Sequence, residues 1–452
     1  FAQRDDLLKV MAAVEALGGN SWTYSPEELK YGLSMLSVCG LNFMVLHGFF
    51  YTTDTPYSSA DFPQSWFYQN AYWKYFNQPA KFVQRILYIG RQGRHVCDVG
   101  ILFPITSQWA STRYEGGDGR EFSLDELNDT LSLQYYSVQR ELLNNQIDYD
   151  IIDPASILKA DVSKGEIEIA EEKYSVLIVP PLSVINRNVL EKIKNFYENG
   201  GTIIALNTLP TASMEEGKMD ATVIKSVSDI FGFNPLFLRS GYYKIDKTYS
   251  NEFITNINDK NGKAYFAREV DTVPAIIEKT VKKDVIIKKG GRAGFHFLHR
   301  TTGGYDIYYL MNGQKVPRQL KVSLRCSGEV EKWHPETAQI EKIYGLSDSG
   351  RTELNLSFQP WEGYYVVFDR TETAKCNVSI GDTNLKDVRI ADATEKGVKI
   401  EGWIPPATEK FYVNVTKGHP EEKIMKELAA KNSLREISLG DKWSFIPAGN
   451  AL

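Results

Sequence analysis

The sequence predicts an α/β multidomain protein with three successive kinds of region: the C-terminal part of a (β/α) barrel, a parallel α/β domain, and antiparallel β-sandwich elements. Three observations predict this order. Near the start, two short apolar strands are separated by one helix and followed by polar residues. Strands and helices then alternate, which is typical of a parallel sheet. The last part shows the two-residue alternation of antiparallel strands.

The first region, residues 1–94, contains two strands that each end in a residue suited to acid–base chemistry. Residues 10–16 are mostly apolar or small and are soon followed by two glycines, which places Glu15 at the C-terminal edge of a strand. Residues 41–46 are predicted to form a buried strand that ends at His47. Barrel enzymes carry their reactive groups at such strand ends. Glu15 is therefore a candidate catalytic residue, and His47 is a candidate substrate-binding residue.

A helix is predicted between these two strands. Ser25 is a suitable N-cap, Pro26 fits the first helical turn, and Gly40 is predicted to end the helix. Its apolar face is formed by Leu29, Leu33 and Leu36. The closing helix of the barrel is predicted from the apolar residues Phe82, Ile86, Leu87 and Ile89.

The loop of residues 51–79 is rich in aromatic residues. A loop of this length is usually functional. Aromatic rings stack on the apolar faces of sugars, so the loop suggests a carbohydrate ligand. Candidate substrate-binding rings in and near it are Trp22, Tyr51 and Trp66. The alternative for each ring is that it packs the loop against the body of the protein.

Residues 95–284 are predicted to form a flavodoxin-like, doubly wound domain, a fold shared with glutamine amidotransferases. Strands are expected at residues 97–105, 147–152, 176–181 and 202–206, and helices at residues 123–145 and 188–199. Flavin is not expected, because the glycines of a phosphate-binding loop come too late, at Gly116 and Gly117. Amidotransferase chemistry is not expected either, because the turn at residues 180–183 lacks a nucleophilic cysteine. A structural role is predicted for this domain.

Residues 285–370 are predicted to form an antiparallel β domain, and residues 371–452 the start of a further β-sandwich. Strands are expected at residues 304–313, 320–326, 330–334, 340–344 and 364–368. His296 and His299 lie three residues apart, so on a strand they point to opposite faces and do not share a metal ion. Both are interpreted as edge or core-rim histidines.

The composition argues against several classes of function. The formal net charge is −5, and the sequence has no clustered stripe of lysine and arginine, which argues against nucleic acid as a partner. No apolar stretch approaches the roughly 18 to 20 residues that span a bilayer, and no signal peptide is recognisable. The cysteines are far apart in sequence and are interpreted as buried free thiols rather than disulfides or metal ligands. They are Cys39, Cys97, Cys326 and Cys376.

The order and spacing of several motifs closely resemble the bacterial α-L-rhamnosidases of glycoside hydrolase family 106. The likeness runs from about residue 10 to residue 368. Its motifs are Val-Glu-Ala at 14–16, SPEELK, NFMVLHG, IDYDIID, VLIVPP, FLHRTTGGYDIYYLMN and EKWHPET. The resemblance matches Glu15 to the barrel glutamate of the family and His47 to its strand-end histidine. One departure is His334, because the family usually has Trp-Asp-Pro in this hairpin.

The resemblance implies inverting hydrolysis of terminal α-L-rhamnosides on plant-type glycans, with a calcium-assisted active site. An inverting glycosidase needs two carboxyl groups roughly 6.5 to 9.5 Å apart, one as acid and one as base. Glu15 supplies one of them, in a role that the sequence leaves open. The chain is interpreted as an internal fragment of a longer polypeptide, so the second carboxylate and the calcium ligands are expected outside it.

The resemblance further implies an oligosaccharide or polysaccharide substrate and a secreted or periplasmic bacterial protein. It leaves open whether the protein forms a homo-oligomer. The alternative function is a non-catalytic scaffold or assembly module of a carbohydrate-active protein, in which the flavodoxin-like domain packs subunits together.

Overall fold

The computed structural model describes residues 12–54, 64–114, 122–124, 126–238, 253–374, 377–394, 397–403, 410–418 and 422–429. The chain divides into two compact units, Phe1–Lys375 and Cys376–Leu452. Among the helices in these ranges, none combines the length and the apolar character needed to cross a lipid bilayer.

The first unit opens with a β-α-β arrangement. Strand β1 is Ala13–Ala16, helix α1 is Pro26–Val38 and strand β2 is Phe43–Leu46, and the two strands pair in parallel. Helix α1 begins at a capping box, since the Ser25 hydroxyl accepts from the Glu28 N–H (3.2 Å) and the Glu28 carboxylate accepts from the Ser25 N–H (2.8 Å). Gly40, with φ +82°, follows the helix end as expected. Leu29 and Leu33 are buried against the strands.

A helix, Asn77–Gly90, lies where the closing helix was predicted, and a 3₁₀ turn at Trp73–Tyr75 precedes it. This helix and α1 lie together on one face of the large antiparallel sheet of the first unit. The core that they share with this sheet contains Val38, Phe82, Ile86, Leu298, Ile307, Tyr309, Met311, Tyr365 and Val367.

The α/β part of the first unit contains a six-stranded sheet. From one edge to the other, its strands are Asp150–Ile152, Val99–Leu102, Val176–Val179, Thr202–Leu206, Lys263–Ala267 and Phe253–Ile257. The first five are parallel in the order 2-1-3-4-5 along the chain, which is the flavodoxin-like order, and the last is antiparallel. The main helices of this part are Glu126–Asn144, Arg187–Glu198, Ala221–Phe231 and Val273–Glu278.

Two predicted elements of the α/β part have different bounds. The strand expected at residues 97–105 is shorter, because a helix, Ile105–Ser111, begins at its predicted end. The helix expected from residue 123 begins at Glu126, because Phe122–Leu124 forms a strand that pairs with Thr112–Tyr114. Gly116 and Gly117 lie outside the described residues.

Smaller elements complete the α/β part. The short helices are Pro154–Lys159, Pro235–Leu238 and Val270–Thr272. A three-stranded antiparallel sheet is formed by Asp161–Ser163, Glu166–Ile169 and Glu172–Tyr174, and a parallel pair by Val184–Ile185 and Ala212–Ser213.

Two antiparallel sheets of the first unit share one hydrophobic core and form a two-layer sandwich. In spatial order, the six-stranded sheet consists of Ile340–Ile343, Glu329–Trp333, Gly363–Asp369, Tyr305–Asn312, Phe295–Thr302 and Arg94–His95. The four-stranded sheet consists of Val285–Lys289, Arg318–Leu324, Arg351–Phe358 and Leu346–Asp348. His95, where the predicted α/β region begins, is therefore a strand residue of the sandwich.

The second unit, taken by itself, is all β in its described residues. Val378–Thr383, Lys410–Lys417 and Glu422–Ala429 form one antiparallel sheet, and Lys386–Thr394 pairs with Gly397–Trp403.

Two sequence predictions about single residues are wrong. His299 is not at an edge or rim: it is buried, with an aspartate at each ring nitrogen. Cys39 is exposed because it follows the last turn of α1, whereas Cys97 and Cys326 are buried free thiols as predicted. Cys376 lies outside the described residues.

Candidate active site

Glu15 and His47 lie side by side at the C-terminal ends of β1 and β2. The register pairs Glu15 with Val45, so His47 stands two residues beyond the partner of the glutamate. A distance of 3.9 Å separates Glu15 Oε1 from His47 Nε2, which is longer than a hydrogen bond. The two side chains are 68% and 36% exposed, respectively. A carboxylate and an imidazole thus face a common, accessible space.

The loop after β1 leaves room for the imidazole. The His47 N–H donates to the Ala16 carbonyl (2.9 Å), which extends the pairing of the two strands. The imidazole ring packs beside Gly18, where a Cβ atom would lie only 2.9 Å from His47 Nδ1. Any larger residue at this position would displace the ring.

Trp66 is not a substrate-contacting ring, which corrects the sequence prediction. It is 0% exposed, packed with Leu29 and Leu33 of α1 and with the ring of Tyr24. Its indole N–H donates to the His47 carbonyl at 2.9 Å. The burial of this ring depends on tertiary contacts with α1, which the local sequence does not reveal.

Residues 64–69, the supporting segment, hold the backbone of residues 47–51. The Phe50 N–H donates to the Ser65 hydroxyl (3.2 Å), and the Gln69 side-chain amide donates to the Phe50 carbonyl (2.9 Å). The Tyr68 hydroxyl donates to the Tyr51 carbonyl (3.0 Å). The loop that carries His47 is therefore fixed by side chains as well as by strand pairing.

Two of the predicted substrate-binding rings are accessible. Tyr51 is 92% exposed and Trp22 is 39% exposed. Trp22 meets the Phe50 ring edge-to-face, with ring centroids 6.5 Å apart, so the loops after β1 and β2 touch above their strands. Residues 55–63 of the aromatic loop lie outside the described residues.

Two buried histidines form ion clusters that the sequence analysis missed. The His95 ring nitrogens lie 2.7 Å from Asp148 and 3.2 Å from Asp150. Burial opposes protonation of His95, but the Asp150 and Asp148 carboxylates outweigh it and hold its pKa well above the ordinary value. A signal for this cluster was available, because Asp148 and Asp150 are two residues apart in the segment predicted as a strand at 147–152, and alternate residues of a strand point to the same face.

The second cluster joins the sandwich to the α/β part. The His299 ring lies 2.7 Å from Asp284 and 3.0 Å from Asp306, and Arg325 contacts both Asp284 (3.4 Å) and Asp98 (2.9 Å). Burial again opposes protonation of His299, yet the two carboxylates raise its pKa. Because both clusters are internal and paired, we assign them to stability rather than to catalysis.

Calcium remains an expectation for this protein, with its ligands expected outside the chain. Within the described ranges, no three His, Cys, Asp or Glu side chains come together in a group that could hold a metal ion.

Comparison with known proteins gives one family and several similar folds. The family model described as alpha-L-rhamnosidase matches residues 8–346. A Formosa agariphila protein described as a candidate beta-glucuronidase is 22% identical over 377 residues, which cover 81% of this chain and 27% of that protein.

Two solved structures are similar in fold. The rhamnosidase from Novosphingobium sp. PP1Y superposes with a TM-score of 0.55 and 17% identity, over 89% of this chain and 37% of that one. A β-galactosidase from Bacillus circulans sp. alkalophilus superposes with a TM-score of 0.51 and 12% identity, over 79% of this chain and 55% of that one. The chain thus spans about a quarter of the curated relative and somewhat more than a third of the solved rhamnosidase.

Proposed function

Because the chain belongs to the α-L-rhamnosidase family, glycoside hydrolase family 106, we propose that the protein hydrolyses terminal α-L-rhamnosides of plant-type glycans with inversion at the anomeric carbon. The observation that carries the proposal is the pairing of Glu15 and His47 at neighbouring strand ends, 3.9 Å apart. Strand ends are where barrel enzymes place their chemistry.

Inversion requires two carboxyl groups with opposite tasks. One accepts a proton from water as the water oxygen bonds to the anomeric carbon, and the other donates a proton to the glycosidic oxygen as its bond to that carbon breaks. We assign Glu15 to one of these tasks because its carboxylate is exposed at the strand end. We assign His47, which lies beside Glu15, to a hydrogen bond with a sugar hydroxyl.

The accessible rings supply the apolar part of sugar binding. Trp22 and Tyr51 belong to the loops that follow β1 and β2, so they stand on the same side of the strands as Glu15. Their faces suit the apolar face of a 6-deoxy sugar such as rhamnose.

Hydrolysis of matched aryl glycosides by the full-length protein tests the substrate. We expect turnover of the α-L-rhamnoside to exceed that of the β-galactoside, α-arabinoside and β-glucuronide. Preference for any of these three would overturn the proposal.

Proton NMR of the first product tests the stereochemistry. An inverting enzyme releases β-L-rhamnose from an α-L-rhamnoside before mutarotation. Initial release of the α anomer would contradict inversion while leaving the substrate assignment intact.

A further inference from the structure

We propose that Trp66 is a positioning residue for His47: its buried indole N–H fixes the His47 backbone and thereby holds the imidazole beside Glu15. The catalytic consequence rests on the proposed function, whereas the positioning itself does not.

Trp66 makes two hydrogen bonds to consecutive carbonyls. Its indole N–H donates to the His47 carbonyl and its backbone N–H donates to the Gly48 carbonyl, both at 2.9 Å. Since the residue is 0% exposed, water does not compete for these bonds. One side chain and its own backbone therefore set the orientation of the peptide that follows the imidazole.

The donor is itself held firmly. The indole meets the Tyr24 ring edge-to-face at 6.1 Å and the Phe76 ring at 6.3 Å, and it shares a core with Leu29 and Leu33. Helix α1, which carries these two leucines, connects β1 to β2. The position of the indole is thus tied to the same β-α-β arrangement that presents Glu15.

His47 is consequently held at both ends of its backbone. Its N–H is bonded to the Ala16 carbonyl of β1 and its carbonyl to Trp66. Gly18 limits the ring on one side, so the imidazole keeps its place relative to Glu15 as long as both bonds persist. Loss of the indole N–H releases the carbonyl end alone.

The test removes that N–H. We expect Trp66→Phe to lower kcat on the α-L-rhamnoside by about 10- to 100-fold, with a smaller change in KM, because displacement of a catalytic-site group by about 1 Å has effects of this size. The matched control is Trp333→Phe, which removes an indole hydrogen bond to Glu331 (2.8 Å) elsewhere in the unit. The control should keep the wild-type kcat.

A double variant separates positioning from general support of the fold. In a His47→Ala background, Trp66→Phe should have no further effect on kcat. Equal fold-losses in the two backgrounds, or a kcat within two-fold of wild type for Trp66→Phe alone, would overturn the proposal. If Trp66→Phe fails to fold, benzothienylalanine at position 66 keeps the ring volume and lacks only the N–H.

A second measurement does not depend on activity. In protein labelled at the histidine Cε1 carbon, the His47 signal should shift in Trp66→Phe and stay in place in Trp333→Phe. An unchanged His47 signal in both variants would overturn the positioning role. An inactive wild-type protein would overturn only the proposed function.

Discussion

Glu15 and Glu172 are two glutamates of the same unit in opposite environments. The Glu15 side chain is mostly exposed at a strand end, beside the His47 imidazole. Glu172 is 3% exposed, and neither of its carboxylate oxygens has a hydrogen-bond partner within the described structure. Burial raises the pKa of Glu172. Exposure suits a group that must exchange protons with a substrate, whereas burial without a partner weakens the fold.

Glu15→Gln tests the catalytic assignment. Glutamine keeps the shape but cannot act as acid or base, so kcat should fall by about 10²- to 10⁴-fold. The free energy of unfolding should change little. Steady-state kinetics and denaturant unfolding of the full-length protein measure the two effects.

The matched control for this variant is Glu27→Gln, an exposed glutamate in the first turn of α1. It should leave both quantities unchanged. Glu15 is not a catalytic residue if Glu15→Gln retains more than about a tenth of the wild-type turnover, since general acid–base catalysis contributes more than that.

Helix α1 connects the strand of Glu15 to the strand of His47, and its start depends on one hydroxyl. Ser25→Ala removes the acceptor for the Glu28 N–H and should lower the free energy of unfolding by about 0.5 to 2 kcal/mol. Tryptophan fluorescence in a denaturant titration measures this loss of stability, because Trp66 packs on helix α1. Glu28→Gln keeps a side-chain oxygen that accepts from the Ser25 N–H, so it should lower the free energy of unfolding less than Ser25→Ala does. A larger loss of stability in Glu28→Gln would contradict the dependence of the helix start on the Ser25 hydroxyl.

The sequence predicted elements well where local chemistry defines them. Ser25, Pro26 and Gly40 mark the ends of α1, and the buried runs at Val176–Val179 and Thr202–Leu206 are strands as expected. The strand Lys263–Ala267 was missed because its short run of small and aromatic residues carries no clear periodicity.

The same distinction between local and tertiary information applies to the candidate site. The positions of Glu15 and His47 at strand ends could be predicted from the sequence, because the residue pattern of each strand is local. The burial of Trp66 and the ion pairs of His299 arise from residues distant in sequence, so no local pattern contains them. Tertiary contacts decide which aromatic residues of the loop remain accessible.

At the scale of the whole first unit, the buried ionisable groups set a pH window for stability. The pKa values of His95 and His299 are raised in the folded state. Their contribution to the free energy of unfolding is therefore complete below the ordinary histidine pKa of 6.5, and it is lost as the pH rises through the folded-state pKa. The pKa of Glu172 is also raised, so this residue weakens the fold increasingly as the pH rises above 4.5, the ordinary glutamate pKa. Burial raises the pKa of Asp150, but the neighbouring His95 outweighs burial and lowers this pKa to about 2. The stability that the Asp150 carboxylate contributes is therefore lost as the pH falls below 3.8, its ordinary pKa.

The expected profile is therefore a maximum of the unfolding free energy between pH 3.8 and 4.5, above the ordinary pKa of Asp150 and below that of Glu172, with a decline toward alkaline pH. Thermal unfolding measured from acid to alkaline pH tests this profile. Glu172→Gln should stabilise the unit by about 1 to 3 kcal/mol at pH 8, since it removes a buried unpaired charge, and by less at pH 5. An equal effect at both pH values would show that the charge of Glu172 is not the cause.

The core shared by the two helices and the antiparallel sheet limits how relatives of this protein can be recombined. Tyr309 donates from the sheet to the Ser34 hydroxyl of α1, and Tyr365 donates to the Ile86 carbonyl of the Asn77–Gly90 helix, both at 2.9 Å. A chimaeric gene that takes the helices from one parent and the sheet from another keeps the first of these bonds only if one parent supplies a hydroxyl at position 34 and the other a tyrosine at position 309, although a long α/β stretch separates the two positions in sequence. Productive crossovers in gene shuffling should inherit residues 26–90 and 295–369 from the same parent.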